Sequence, residues 1–282
     1  VIIPGNVGSL YDYAFHNCNS ITTLVIPESV GNNDGDSIGT HVFADCDYLS
    51  SITINNKWIG AHMFDNSDNF GHPAEDGKTK LTSIVIPSQV NRIDDYAFAN
   101  CDSLTSITIK NQIIGDYMFY NNTALEAVDV TTYDNNTINY LNRIGYGAFK
   151  GCSNLTSLTI PFVGGVHYGT KVDSDPEDIY LLGYIFGDVT TGGVEQKPSA
   201  EGQTKKYDIP ASLRTVIVNN DYQIAYQAFA NTTNITNVEL PTQKKTSAEA
   251  EVVKFSTINA YAFNNSGITS ITIPASTSSI GE

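Results

Sequence analysis

Five histidines (His16, His41, His62, His72 and His167) and four cysteines (Cys18, Cys46, Cys101 and Cys152) are the side chains of this 282-residue chain best suited to metal ligation or nucleophilic chemistry. His41 and His62 each stand two residues before a phenylalanine, Phe43 and Phe64, and those two are roughly 21 residues apart. Imidazoles at matching places of successive structural units are the start of a transition-metal site, which needs three or four nitrogen, sulfur or carboxylate ligands. Tyr13, Tyr96, Tyr117, Tyr184 and Tyr261 occupy the same place before other phenylalanines, so the two histidines belong to an aromatic column. Without nearby carboxylates a pair of imidazoles is a poor site, and no metal is expected.

The acidic stretch Asp173-Ser174-Asp175-Pro176-Glu177-Asp178 has calcium-type ligands but lacks the glycine and terminal glutamate of an EF-hand loop, which predicts a solvated loop. All four cysteines lie three residues after a phenylalanine, where other copies have Asn122, Thr232 or Ser266. A thiol column alternating with small polar residues predicts chiefly free, buried cysteines, since free cysteine packs as a small hydrophobe, with a disulfide between Cys18 and Cys46 of neighbouring units as the alternative. There is no C-x-x-C pattern, no G-x-S-x-G, no H-E-x-x-H and no P-loop, so neither catalytic residues nor a cofactor is expected and the chain reads as a non-enzyme.

The positions of these residues follow from a repeat, clearest in RIDDYAFANCDSLTSITI at positions 92–109. Its apolar skeleton is Ile93, Phe98, Cys101, Leu104, Ile107 and Ile109, and the phenylalanine recurs as Phe15, Phe43, Phe64, Phe98, Phe119, Phe149, Phe186, Phe229 and Phe263, giving about nine repeats. The last part alternates apolar and hydroxylated residues and is rich in β-branched side chains, which predicts a short strand. One such strand is unstable alone, whereas stacked copies pair in parallel and share a core. Pro27, Pro87, Pro161, Pro241 and Pro274 close the strands, where a missing N–H does no harm to the ladder. Gly39, Gly60, Gly115, Gly145, Gly281, Asp94 or Asn259 follows the isoleucine that opens a unit, which predicts a tight turn with positive φ there, although Tyr11 and Ala225 break the pattern.

The repeated AF-x-x-C-x-x-L-T-S-I-T-I-P, with IG-x-x-AF opening units, resembles the BspA-like leucine-rich repeats over essentially the whole chain. The resemblance implies a leucine-rich-repeat solenoid: stacked short parallel β-strands, with turns and short helical segments on the opposite side. It also implies a bacterial or protist protein that is secreted or displayed at the cell surface and acts in adhesion or protein binding. Val1-Ile2-Ile3-Pro4 reads as the tail of a strand and Ser279-Ile280-Gly281-Glu282 as the opening of a unit. Residues 1–282 are therefore expected to be a single domain cut within repeats at both ends.

With 15 Lys and Arg against 30 Asp and Glu, the net charge of −15 opposes nucleic-acid binding, and no apolar run is long enough for a membrane-spanning helix. The partner that the resemblance implies is a protein or other surface macromolecule, of host matrix or microbial origin; a passive spacer displaying other domains is the alternative, and an enzyme accessory region comes last. Strand residues between the buried skeleton positions are predicted to form one exposed strip, with Thr23, Val25, Thr53, Val85, Thr108, Asp129, Thr159, Ile217, Glu239 and Thr272 as candidate binding residues. Both Thr108 and Thr159 are expected to be exposed. Insertions at 31–37, 68–80, 131–142, 162–180, 189–207 and 243–255 are expected to loop outward, those at 162–180 and 189–207 forming a rim to the strip.

Overall fold

Each unit contributes one short strand to a parallel ladder. The computed structural model describes residues 1–33, 35–67, 80–110, 113–130, 133–134, 137–138, 141–167, 169–189, 192–197, 205–245 and 252–282. His72, nearly all of the insertion at 68–80, and parts of those at 31–37, 131–142, 189–207 and 243–255 lie outside these residues. The ladder strands are β1 (Thr23–Ile26), β2 (Ser51–Ile54), β3 (Ser83–Ile86), β4 (Ser106–Ile109), β5 (Ala127–Val130), β6 (Ser157–Ile160), β7 (Thr215–Val218), β8 (Asn237–Glu239) and β9 (Ser270–Thr272). β1 and β2 form a two-stranded sheet and β3 to β9 a seven-stranded one. Alternation directs one face inward: Ile84, Ile107, Val128, Leu158, Val216 and Val238 are buried and in register with one another. Ile2 makes an isolated parallel bridge to Val25. Ile273 is 43% exposed.

The side opposite the ladder is built from turns. Leu182–Phe186 is a 3₁₀ helix and the one helix among the described residues, so the short helical segments implied by the family resemblance are replaced elsewhere. In most units the residues two before and two after the phenylalanine have positive φ: Tyr13 and Asn17, His41 and Asp45, Tyr96 and Asn100, Tyr117 and Asn121, Gly147 and Gly151, Gln227 and Asn231, and Tyr261 and Asn265. Reversing handedness at those two positions aims alternate N–H groups at the next unit. Tyr117, Phe119 and Asn121 thus donate to the carbonyls of Tyr146, Ala148 and Lys150 at 3.0, 2.9 and 2.7 Å. Left-handed backbone costs a residue with a Cβ about 1–2 kcal/mol, least for Asn and Asp. The bulky residues at the first position offset it by stacking: Tyr13, His41, His62, Tyr96 and Tyr117 form one pile with centroids 4.5 to 5.0 Å apart. Behind it the buried phenylalanines form a second pile, with Phe98 5.8 Å from Phe119 and Phe119 5.7 Å from Phe149.

Positive φ therefore belongs to the turn column and not to the glycines after the opening isoleucine. Gly39, Gly60, Gly115, Gly145 and Gly281 are absent from the left-handed set. Close backbone approach explains them instead. The opening residues pair in a second, shorter parallel ladder, Trp58–Ile59 with Arg92–Ile93 and Ile113–Ile114 with Arg143–Ile144. A Cβ on Gly39 would lie 2.2 Å from the amide nitrogen of Asp12, and one on Gly145 2.4 Å from the carbonyl carbon of Gly115.

Two insertions expected to loop outward contribute to the core. Within 162–180, Phe162, Val163, Val166 and Ile179 are buried, Gly165 accepts the Ile144 N–H at 2.9 Å, and Val166 bridges Arg143 in antiparallel sense. This segment supplies the second ladder where a unit would otherwise have none. At the next insertion, Val194–Gln196 pairs antiparallel with Tyr207–Ile209. Its Gln196 is fully buried, accepting the Gly183 N–H at 2.7 Å and donating to the carbonyls of Ala228 and Ala230 at 3.1 and 3.0 Å. One side-chain amide thus joins the 3₁₀ turn to the following unit.

Candidate binding surface

In-register pairing sets residues of successive strands side by side. Val85, Thr108, Asp129, Thr159, Ile217, Glu239 and Thr272 are consecutive Cα partners, giving one row across β3 to β9. Val25 and Thr53 are partners across β1 and β2, on the other side of the interruption between the two sheets. Thr23 pairs with Ser51 and lies in the parallel row two residues back. Val85 is 53% exposed, and Thr23, Thr53, Asp129, Glu239 and Thr272 are also exposed. Thr108 and Thr159 are only half-buried, as are Val25 and Ile217. A groove of about 330 Å³ opens over β8 and β9, lined by Asn237, Glu239, Leu240, Ser270, Thr272 and Pro274 among others.

The cysteine column has a structural task. Cys46, Cys101 and Cys152 direct their thiols at the carbonyls of Phe15, Phe64 and Phe119 at 3.2, 3.5 and 3.3 Å, each one unit back. Burial pushes all three up to about 12, which removes them as nucleophiles. All four cysteines are free.

The acidic stretch is not a solvated loop. Asp175 is buried and accepts from the Arg143 guanidinium at 2.5 Å and from the Val172 N–H at 3.0 Å. Asp178 is buried too and accepts from the Tyr207 hydroxyl, while only Asp173, Ser174, Pro176 and Glu177 face solvent. These carboxylates pin an insertion to its neighbours.

The histidine pair departs furthest from expectation. His41 and His62 stack at 4.5 Å with planes 7° apart, but carboxylates are close by. Asp65 Oδ2 lies 2.7 Å from His62 Nδ1, and Asp65 Oδ1 accepts from Asn100 Nδ2 at 2.8 Å. Asp45 Oδ2 is 3.0 Å from His16 Nε2. The turn that carries His62 curls Asp65 back beneath the ring, a contact open to any His-x-x-Asp spacing within a tight turn and overlooked in the sequence. Burial lowers the His41 pKa, and the neighbouring His62 lowers it further against the opposing pull of Asp65. His167 is buried against Phe162, 4.3 Å between ring centroids, with Asp221 3.8 Å from its Nδ1. No helix among the described residues is long and apolar enough to cross a membrane.

No curated protein sequence matches the chain. Among solved structures, a leucine-rich repeat protein from Bacteroides ovatus is similar at 21% identity and a TM-score of 0.45, over 100% of this chain and 82% of its own. The T. pallidum leucine rich repeat protein is 22% identical with a TM-score of 0.43, over 67% of this chain and 78% of its own. A leucine rich cell surface protein from Faecalibacterium prausnitzii is 20% identical with a TM-score of 0.37, over 84% of this chain and 58% of its own. The family described as BspA type leucine rich repeat region matches in six copies over residues 1–72, 76–163 and 207–282, leaving out the stretch where the two core-forming insertions lie. With most of its length matched and its strands stacked in parallel, the chain belongs to the BspA-type leucine-rich repeat family.

Proposed function

We propose that this chain is an adhesion domain of a secreted or cell-surface protein, binding a protein or other macromolecule of a host matrix or a microbial surface. The supporting observation is the single row from Val85 to Thr272, which sets apolar Val85 and Ile217 and acidic Asp129 and Glu239 among hydroxylated residues. A uniform threonine ladder suits a periodic surface, whereas a row of mixed character suits one extended partner with matching features. The groove over β8 and β9 gives that partner a concave seat at one end. Membership of a repeat family without catalytic motifs favours binding over an enzymatic role. The partner is expected to pair basic groups with Asp129 and Glu239.

Pull-down of matrix proteins with the 282-residue chain tests this reading, compared with an Asp129→Lys/Glu239→Lys variant. Both side chains are exposed, so the variant keeps its fold. Capture by the native chain and loss in the variant support the row as the site. No capture at all favours the spacer alternative, and equal capture by both moves the site off the strand face.

A further inference from the structure

The units that carry His41 and His62 hold a cluster that the binding row does not use. One ring nitrogen of each histidine and a carboxylate oxygen of Asp65 lie within 4.8 Å of one another. We propose that His41, His62 and Asp65 form a binding site for a divalent transition ion of the Zn²⁺ class. Two imidazoles and a carboxylate, with water in the fourth place, are a ligand set this ion takes readily. Bonds of roughly 2.0–2.2 Å around a tetrahedral centre place ligand atoms about 3.3–3.6 Å apart. The 2.7 Å contact between His62 Nδ1 and Asp65 Oδ2 and the 4.8 Å outer limit of the cluster bracket that separation, so adjustments of about an ångström complete the site.

The required movements are specific. Parallel rings cannot direct two in-plane lone pairs at one point, so the His41 ring must tilt away from its 7° alignment with His62. His62 turns its Nδ1 lone pair from Asp65 Oδ2 to the ion, which requires the tautomer with the proton on Nε2. Asp65 Oδ2 exchanges the His62 contact for the ion, while the amide of Asn100 continues to hold Oδ1 and so orients the carboxylate as an outer-shell partner. Both histidine rings are half-buried, whereas Asp65 is 2% exposed and screened from competing water.

Tyrosine occupies the histidine column in other copies, which supplies variants that keep the ring pile. Zn²⁺ is titrated calorimetrically into the 282-residue chain at neutral pH, into His41→Tyr and His62→Tyr, and into Asp65→Asn, with near-ultraviolet circular dichroism followed in parallel. The expected result is one ion per chain, a change in the aromatic dichroism as His41 leaves the stack, and affinity at least about tenfold weaker in each variant. Absence of saturable Zn²⁺ binding by the native chain overturns the proposal. So does binding of undiminished affinity by His41→Tyr or His62→Tyr, which places the ion elsewhere. Neither outcome bears on the strand row, whose variants leave these residues intact.

Discussion

Asn122 Nδ2 donates to the carbonyl oxygen of Phe98 at 3.0 Å, reaching back one unit along the column that holds a thiol in other copies. The same side chain accepts the Cys101 N–H through Oδ1 at 2.7 Å, so one fully buried amide satisfies two backbone groups of the preceding turn. Asn122→Ala strands both, and a buried unsatisfied polar group costs about 1–3 kcal/mol. Asn122→Cys restores a donor for the Phe98 carbonyl and is expected to lose less. Urea denaturation of the two variants measures the difference, and equal stabilities would show that the column only fills space.

Arg143 and Asp175 make stability depend on pH in acid. The guanidinium hydrogen bond holds the Asp175 carboxyl below the usual carboxylate range, with the Val172 N–H assisting against desolvation. A depressed folded-state pKa gives stability that is fully present above the unfolded value of about 3.9 and is lost as pH falls through the lower folded value. Asp175→Asn is expected to be less stable than the native chain at neutral pH, with the gap closing as the medium is acidified below about pH 4. Urea midpoints for both proteins across that range test it; a gap independent of pH would assign the loss to packing alone.

Thiol reactivity should divide the cysteines. Cys46, Cys101 and Cys152 are buried with thiols pushed up to about 12, whereas Cys18 is half-buried in the first unit. An aromatic disulfide reagent is expected to modify Cys18 first in the native chain and the other three only on unfolding. Rapid reaction of all four without denaturant would show that the turn column opens readily.

The strand and phenylalanine columns were legible in the sequence because each has a chemical type that only one environment rewards. Ile107 and Ile109 alternate with Ser106 and Thr108, and buried Phe98 recurs at a fixed place before most strands. The turn geometry was legible as well but was assigned to the wrong residues. Asn17, Asp45, Asn100, Asn121, Gly151, Asn231 and Asn265 are types that accept left-handed backbone, and they mark one half of the turn. The other half falls on residues such as Tyr13, Tyr96 and Tyr117, whose bulk opposes that conformation and whose stacking is a property of neighbouring units. No single unit encodes that compensation. The insertion at 162–180 carried its own signal in Phe162, Val163, Val166 and Ile179, apolar residues with no place in a solvated loop. Asp65 escaped notice among the ligands because its role depends on a turn that brings residues three apart into contact.

The interruption between β2 and β3 gives the stack an uneven mechanical grain. Within β3 to β9, neighbouring units are joined along the strand ladder as well as through their turns. Across the interruption, the described connections include turn bonds, such as Phe43 N–H to the Met63 carbonyl at 2.9 Å, together with Lys80 N–H to the Asp47 carbonyl at 2.9 Å and Gln89 Nε2 to the Ile54 carbonyl at 3.0 Å. A load pulling the stack apart along its axis meets fewer bonds at that joint than at the next. The first two strands then part as a block, and the rest of the stack, with the row from Val85 onward, stays assembled under the load.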